Sequence, residues 1–417
     1  MSEPATAYLL ERAWVDGAVH DDVLVGIEDG RFTRVEVGGP AEGVERLPGL
    51  TLPGLANDHS HAFHRALRGR TQRDKGTFWT WREQMYAVAE GLDPDRYVTL
   101  ARAVFREMLA AGYTSVSEFH YLHHQPDGTP YAAPRAMGNA LVLAAEEAGI
   151  RLTLLDTCYL SSGFGAPPEG VQVRYSDGTA QRWAERAGAG PAAIHSVRAV
   201  PRDQLQVFRG RDPLHVHLSE QPRENDECLA AYGVTPTRLL HDEGLLGPGT
   251  TVVHATHLTD DDVELLGATR TNVCVTPTTE RDLADGIGPA RRLHEAGCRV
   301  TIGSDSHAVV DPFEELRALE MDERLATRER GHWTAAELLD VGTRGRAIAV
   351  GAPADLVTID TRSPRTAGTG GDENTAVFAA TSADVVRVVC DGGVVFSKGD
   401  EDGIGRELDA AIAGLWS

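Results

Sequence analysis

The chain has 417 residues, 41% of them hydrophobic and 24% charged. That balance belongs to a soluble globular protein large enough for one big domain and a smaller one. A formal net charge of −22 repels phosphate backbones and anionic lipid. This excludes nucleic acid and membrane surfaces as partners and leaves small molecules. An anionic substrate must therefore be met by a local cluster of arginines.

The first fifty residues read as short strands with turns, "AYLLERAWVDG", "VLVGIEDGRFTRVEVGG" and "VERLPGLTLPG". Their Asp-Gly and Gly-Gly steps suit hairpins. The far end repeats this character in "ADLVTIDT" and "DVVRVVCDGGVVFSKGD", with "TAGTGGDENTA" as an intervening loop. The two β segments are expected to pair into one small composite domain, built from residues 1–52 and 347–417.

Between them, over 53–346, strand-length apolar runs alternate with longer segments of helical spacing. The strand candidates are "LTLPGLANDHSH", "GYTSVSEFHY", "IRLTLLDTCYL", "AAIHSVRAV", "PLHVHLSEQ", "TTVVHATHLT", "TNVCVTPTT" and "RVTIGSDSH". Apolar strands buried on both faces and joined by helices imply a parallel sheet. Eight βα units in about 300 residues predict an α/β fold of the (β/α)8 TIM-barrel type. A doubly wound sheet would show a Gly-rich phosphate loop after an early strand, and none occurs.

Polar residues concentrate where these strands end: His59 and His61; Glu118, His120 and Tyr121; His195 and Arg198; His215, His217 and Glu220; His254 and His257; Asp305 and His307. Sixteen histidines scattered at random would not favour strand ends this strongly. In a barrel those ends form one rim, where active sites lie. Residues i and i+2 of a strand face the same side, so His59 and His61 can chelate one ion, with His217 and Asp305 completing the set. Three imidazoles and a carboxylate suit Zn2+, with Fe2+ or Mn2+ also compatible. The only lysines, Lys75 and Lys398, fall at no strand end, so no lysine carbamate bridges a second ion and a single divalent metal is expected. Glu220, three residues past His217, is placed to shuttle a proton. His254 is placed to steer the attacking oxygen, and Ser219 and Ser306 to support it.

The motifs "HSH", "HVHLSEQ", "VVHATH" and "GSDSH" together resemble the mononuclear deaminase branch of the amidohydrolase superfamily. Over nearly the whole chain, "HSHAFHRALRG", "FWTWREQMY", "EFHYLHH", "HSVRAVP", "TTERDLADGI" and "GSDSHAVVDPFEELRALE" are similar to the formimidoylglutamate deiminases. "FWTWREQMY" and "EFHYLHH" are the most specific of these. The resemblance implies release of ammonia from N-formimidoyl-L-glutamate, leaving N-formyl-L-glutamate, in histidine degradation. It implies metal ligands at His59, His61, His217 and Asp305, and catalysis by Glu220 and His254 with Asp305. It also implies that His64, Arg82, Tyr121, His195 and Arg198 bind a dianionic substrate, and that the protein is a homodimer. Two departures stand out: His64 replaces the family's usual Gln, and "VGTRGRAIAVGAPADLV" is short. The rival readings are a deaminase of another formimino amino acid or of a purine or pterin, and a barrel that has lost catalysis.

Five scattered cysteines (Cys158, Cys228, Cys274, Cys298 and Cys390) make no C-x-x-C pair, which argues against disulfides and thiolate zinc. The N-terminal "MSEPATAYLLERAWVDG" lacks the basic start and apolar core of a signal peptide. No run is long enough to cross a bilayer. A cytoplasmic setting is expected.

Overall fold

The computed structural model describes residues 6–39, 42–72, 75 and 78–416, with the side chains of residues 78 and 79 excepted. Four strands open the chain: β1 (Thr6–Val15), β2 (Ala18–Glu28), β3 (Arg31–Val37) and β4 (Glu45–Pro53). Eight follow, interleaved with helices: β5 (Leu55–Ser60), β6 (Tyr113–His120), β7 (Arg151–Cys158), β8 (Ala192–Ile194), β9 (Leu214–Leu218), β10 (Thr250–His254), β11 (Asn272–Val275) and β12 (Val300–Ile302). Three close the set: β13 (Leu356–Ile359), β14 (Val385–Cys390) and β15 (Gly393–Ser397).

The terminal strands form one seven-stranded sheet in the order β15-β14-β13-β4-β1-β2-β3. Its two halves join where β13 runs antiparallel to β4, Leu356 opposite Pro53 and Ile359 opposite Leu50. Three hairpins turn on two-residue Asp-Gly loops, Asp16-Gly17, Asp29-Gly30 and Asp391-Gly392, with both residues of each at positive φ. This is the loop whose twist matches that of paired strands, and glycine removes the strain at its second position. Leu10, Val23, Val25, Phe32, Leu47, Leu356 and Val389 pack a separate small core on this sheet. The short segment before Gly351 lies against the β2–β3 hairpin: Ile348 is buried in that core, and Gly351 and Ala352 exchange backbone bonds with Phe32.

The other eight strands are parallel, in the order β5 to β12. Every residue of β5, β6, β9 and β10 is buried, as expected of a sheet covered by helices outside and filled by side chains within. The helix Pro94–Ala111 shows why the outer layer forms. Asp93 caps it by accepting from the Arg96 amide, Pro94 opens it, and Tyr97, Leu100, Ala101, Val104, Phe105 and Met108 make one buried stripe. The ring closes between β12 and β5. Asp305 donates its amide to the His59 carbonyl at 3.0 Å, and His61 donates to the Asp305 carbonyl at 3.1 Å. Asn57 clamps the seam, taking the Ser304 amide at 3.0 Å and donating to the Ser304 hydroxyl at 2.7 Å.

Several expectations are corrected in detail. "LTLPGLANDHSH" is two strands, because the chain passes at Gly54 from the composite sheet into the barrel. Asp305 and His307 lie beyond β12 rather than in it. β8 is three residues long and is followed by a 3-10 turn, Arg202–Phe208, instead of an α-helix. Within "TAGTGGDENTA", Glu373–Phe378 forms a helix because Asp372 accepts from the Asn374 and Thr375 amides. Lys398 does follow a strand, β15 of the composite sheet, and its Nζ is held by the Ala383 carbonyl and Glu401. The helix Glu401–Ala413, which had no counterpart in the strand pattern, packs on Pro94–Ala111. Among the described residues no helix is long and apolar enough to cross a membrane.

Gly303 marks the tightest point of the seam. A Cβ there would lie 2.7 Å from the His59 carbonyl oxygen and 2.9 Å from its amide nitrogen. Gly303→Ala must push β12 away from β5. It is expected to cost about 1–3 kcal/mol of stability, measured by urea unfolding of the metal-free protein.

Candidate metal and active site

His59 in β5, His61 just after it, His217 in β9 and Asp305 after β12 converge within the barrel mouth, all buried. His59 Nε2 stands 3.2 Å from His61 Nε2 and 3.1 Å from His217 Nε2. Asp305 Oδ1 lies 3.2 Å from His59 Nε2 and 3.3 Å from His61 Nε2. A regular tetrahedron of ligands about 2.0 Å from a Zn2+ ion has edges of about 3.3 Å, so four pairs of donors already stand at coordinating separation. Burial drives two of these imidazoles towards the neutral, ligating form, His59 down to about 4 and His217 well below the usual range. Burial opposes the Asp305 carboxylate, yet the adjoining His59 and His61 hold its pKa well below the ordinary value. The other ring nitrogen of His61 faces the Phe119 carbonyl at 3.1 Å, which fixes the ring.

His254 closes β10 beside this set. Its Nε2 is 3.9 Å from Glu220 Oε1, and its Nδ1 is 3.1 Å from Thr276 Oγ1 and 3.7 Å from Glu280 Oε1. Burial disfavours the imidazolium, but Glu220, Glu280 and Asp305 outweigh it and push the pKa up to about 10. A divalent cation in the tetrahedron would oppose that rise. Asp285, also buried, is raised by burial and by the nearby Glu220. Carboxylates thus dominate this end of the site.

The opposite end is basic and aromatic. His195 follows β8 with its ring centroid 5.1 Å from that of His217 and 4.9 Å from Tyr159. Burial and then Arg198 and Arg82 press its pKa well below the usual value. Arg198 remains strongly basic, since Glu224, with Nε to Oε2 at 3.6 Å, and Glu220 outweigh its burial. Arg82, on the helix Phe78–Gly91, donates to Tyr86 Oη at 2.5 Å, and Gln172 donates to the same oxygen. His64 Nε2 and Tyr121 Oη are 3.0 Å apart, and both rings abut His61.

The backbone records how the rim is assembled. Ser219, His254, Ala255, Asp305 and His307 all have φ between 40° and 69°. Such conformations are costly for non-glycine residues and collect where a site must be aimed.

The structure thus brings His59, His61, His217 and Asp305 together, sets His254 beside Glu220, and packs His64, Tyr121 and His195 on the rings of that cluster, while Arg198 pairs with Glu224 and Arg82 with Tyr86. It sets others aside. Glu118 accepts from the Ser60 hydroxyl and the Ala62 amide, each at 2.6 Å, behind His61. His307 faces the Ser60 hydroxyl at 2.9 Å. His257 faces the Asp285 carbonyl at 2.7 Å, and His120 packs on His123. Ser219 donates to Asn225, and Ser306 meets Thr279. Thr276, Glu280 and Asp285 were not anticipated as site residues. Glu280 and Asp285 are marked only as acidic side chains shortly after a strand end, inside "TTERDLADGI", and Thr276, just before that stretch, carries no mark at all.

Residues 50–395 match the amidohydrolase family. The chain belongs to that family. Among amidohydrolase relatives, it is 36% identical to "Formimidoylglutamate deiminase" of Pseudomonas aeruginosa, over 92% of this chain and 93% of the relative. It is 29% identical to "5-methylthioadenosine/S-adenosylhomocysteine deaminase" of Syntrophobacter fumaroxidans, over 91% and 89%. A solved amidohydrolase from Brucella melitensis superposes with a TM-score of 0.88 at 30% identity, covering 99% of this chain and all of that one. An adenosine deaminase from Xanthomonas campestris, solved with bound zinc, shares the fold at a TM-score of 0.83 and 21% identity, covering 99% and 98%. The chain is a hydrolase acting on carbon–nitrogen bonds.

Elemental analysis is expected to find one divalent ion per chain, and His217→Ala to lose it. Restoring the ion at a free concentration of 1,000 times Kd should raise the unfolding free energy by about 4 kcal/mol over the chelated protein.

Proposed function

We propose that the chain hydrolyses N-formimidoyl-L-glutamate to N-formyl-L-glutamate and ammonia, in histidine degradation, with one divalent ion, Zn2+ ahead of Fe2+. The supporting observation is the two-ended charge of the site. Arg82 and Arg198, with His64, Tyr121 and His195, offer donors for two carboxylates. Glu220, Glu280, Asp285 and Asp305 face the other way, towards a cationic formimidoyl group. A purine or pterin, flat and carrying no carboxylate pair, has no use for two such arginines. The identity to the P. aeruginosa deiminase supports the same reading. The five cysteines are free and buried, which fits a reducing, cytoplasmic setting.

His59, His61, His217 and Asp305 would hold the ion, which when bound lowers the pKa of a coordinated water towards neutrality. Glu220 takes a proton from the attacking water as its oxygen adds to the formimidoyl carbon. His254 donates from Nε2 to that oxygen, its ring held through Nδ1 by Thr276 and Glu280. Glu220 returns the proton to the terminal nitrogen, the carbon–nitrogen bond breaks, and ammonia departs. Asp305 takes up the hydroxyl proton as the carbonyl forms.

Ammonia release is expected from N-formimidoyl-L-glutamate, abolished by a chelator, with far slower turnover of N-formimidoyl-L-aspartate and none of guanine. Preference for guanine, or activity that survives full metal removal, overturns the reading. Glu220→Gln is expected to lower kcat by about 10²- to 10⁴-fold with metal content unchanged.

A further inference from the structure

Asp285 follows the short helix Pro277–Asp282 and is 3% exposed. One carboxylate oxygen, Oδ1, accepts from Gln221 Nε2, and the main-chain carbonyl faces His257 Nε2 at 2.7 Å. Its amide donates to the Glu280 carbonyl at 2.9 Å. These bonds fix the residue. They leave Oδ2 buried with no hydrogen-bond partner among the described residues. An ionised oxygen in that state is costly unless something donates to it.

The charges that act on Asp285 are those of the reacting end of the site: Glu220, His254, Glu280 and Asp305. Burial and then Glu220 push the Asp285 pKa up to about 8 against the pull of His254, so nothing in this end of the site compensates its ionised form in full. The missing element is a cation that brings N–H donors with it. A formamidinium is such a group.

We propose that Asp285 is a substrate-binding residue, its Oδ2 accepting an N–H of the cationic formimidoyl group and so selecting an amidinium over a neutral amide. The proposal rests on the substrate reading above. It carries a consequence for the end of the cycle. Hydrolysis exchanges the amidinium nitrogen for a formyl oxygen, an acceptor in place of a donor. Oδ2 then faces a second acceptor and repels it, so the residue that favours substrate also favours product departure.

The test uses the metal-loaded full chain and the isosteric pair of substrate and product. Asp285→Asn keeps the acceptor for Gln221 and the side-chain size but removes the charge. It is expected to lower kcat/KM for N-formimidoyl-L-glutamate by about 10- to 100-fold, mainly through KM. The calorimetric Kd of N-formyl-L-glutamate is expected to stay within about twofold of wild type or to tighten, with one metal still bound. Gln221→Ala breaks the loop contact while leaving the Asp285 charge, and is expected to shift both ligands together. If Asp285→Asn weakens substrate and product equally, or neither, Asp285 is a structural latch and the proposal fails. If the wild type releases no ammonia from N-formimidoyl-L-glutamate, the substrate reading fails and takes this proposal with it.

Discussion

The barrel is one ring of hydrogen-bonded strands, and the donor tetrahedron exists only because the ring closes. β5 supplies His59 and leads into His61; the segment after β12 supplies Asp305. The same backbone exchange that joins the strands, Asp305 to His59 and His61 to Asp305, sets the imidazoles 3.2 and 3.3 Å from the carboxylate. Gly303 permits that approach, and Asn57 holds it with two bonds to Ser304. Seam and site are one structure, so a disturbance of closure is also a disturbance of ligation. The positive φ values at His254, Ala255, Asp305 and His307 belong to the same economy: each departs from relaxed backbone by an amount on the order of 1–3 kcal/mol, and persists because the closed ring leaves no alternative.

Much of this was legible in the chain, and the reason is periodicity. Strands such as "LHVHL" are buried on both faces, so they stand out as apolar runs whose ends carry histidine. The ligand set was legible because i and i+2 share a face: His59 with His61. The same rule could not rank His215 against His217, since both lie on one face of β9 and only depth in the barrel separates them. Likewise Glu118, His120 and His307 sit at strand ends and still serve the framework. Thr276, Glu280 and Asp285 escaped notice for the opposite reason. They follow β11 in a short helix and turn that have no alternation to mark them, and their role appears only when β10 brings His254 alongside. In the composite sheet the Asp-Gly hairpins were local and readable. The parallel pairing of β1 with β4 and the union of β4 with β13 depend on contacts far apart in sequence, and local signals do not carry them.

The net charge of −22 makes the basic end of the site the harder problem. At long range the protein repels a dianion, so attraction has to come from arginines placed close to the ligand and away from bulk water. Arg198 is kept in place by Glu224, a buried carboxylate 3.6 Å away whose side-chain oxygens have no hydrogen-bond partner among the described residues. That pairing orients the guanidinium without the tight bidentate bond that would satisfy it, leaving donors for a ligand.

Arg82 is secured differently. Its helix, Phe78–Gly91, is gripped from the side by Arg174, a fully buried guanidinium with no carboxylate paired to it among the described residues. Arg174 donates instead to three main-chain carbonyls: Ala89 in that helix, Leu92 just past it at 2.9 Å, and His124 at 3.2 Å. The last belongs to the loop that leaves β6 through Tyr121. Arg174 therefore ties the helix carrying Arg82 to the strand end carrying Tyr121, so the two side chains keep a common spacing. Lysine, with a single nitrogen, could not span three carbonyls in a plane. The rigidity of the substrate end thus derives from a residue that need never touch the substrate, much as the metal end derives from Gly303 and Asn57.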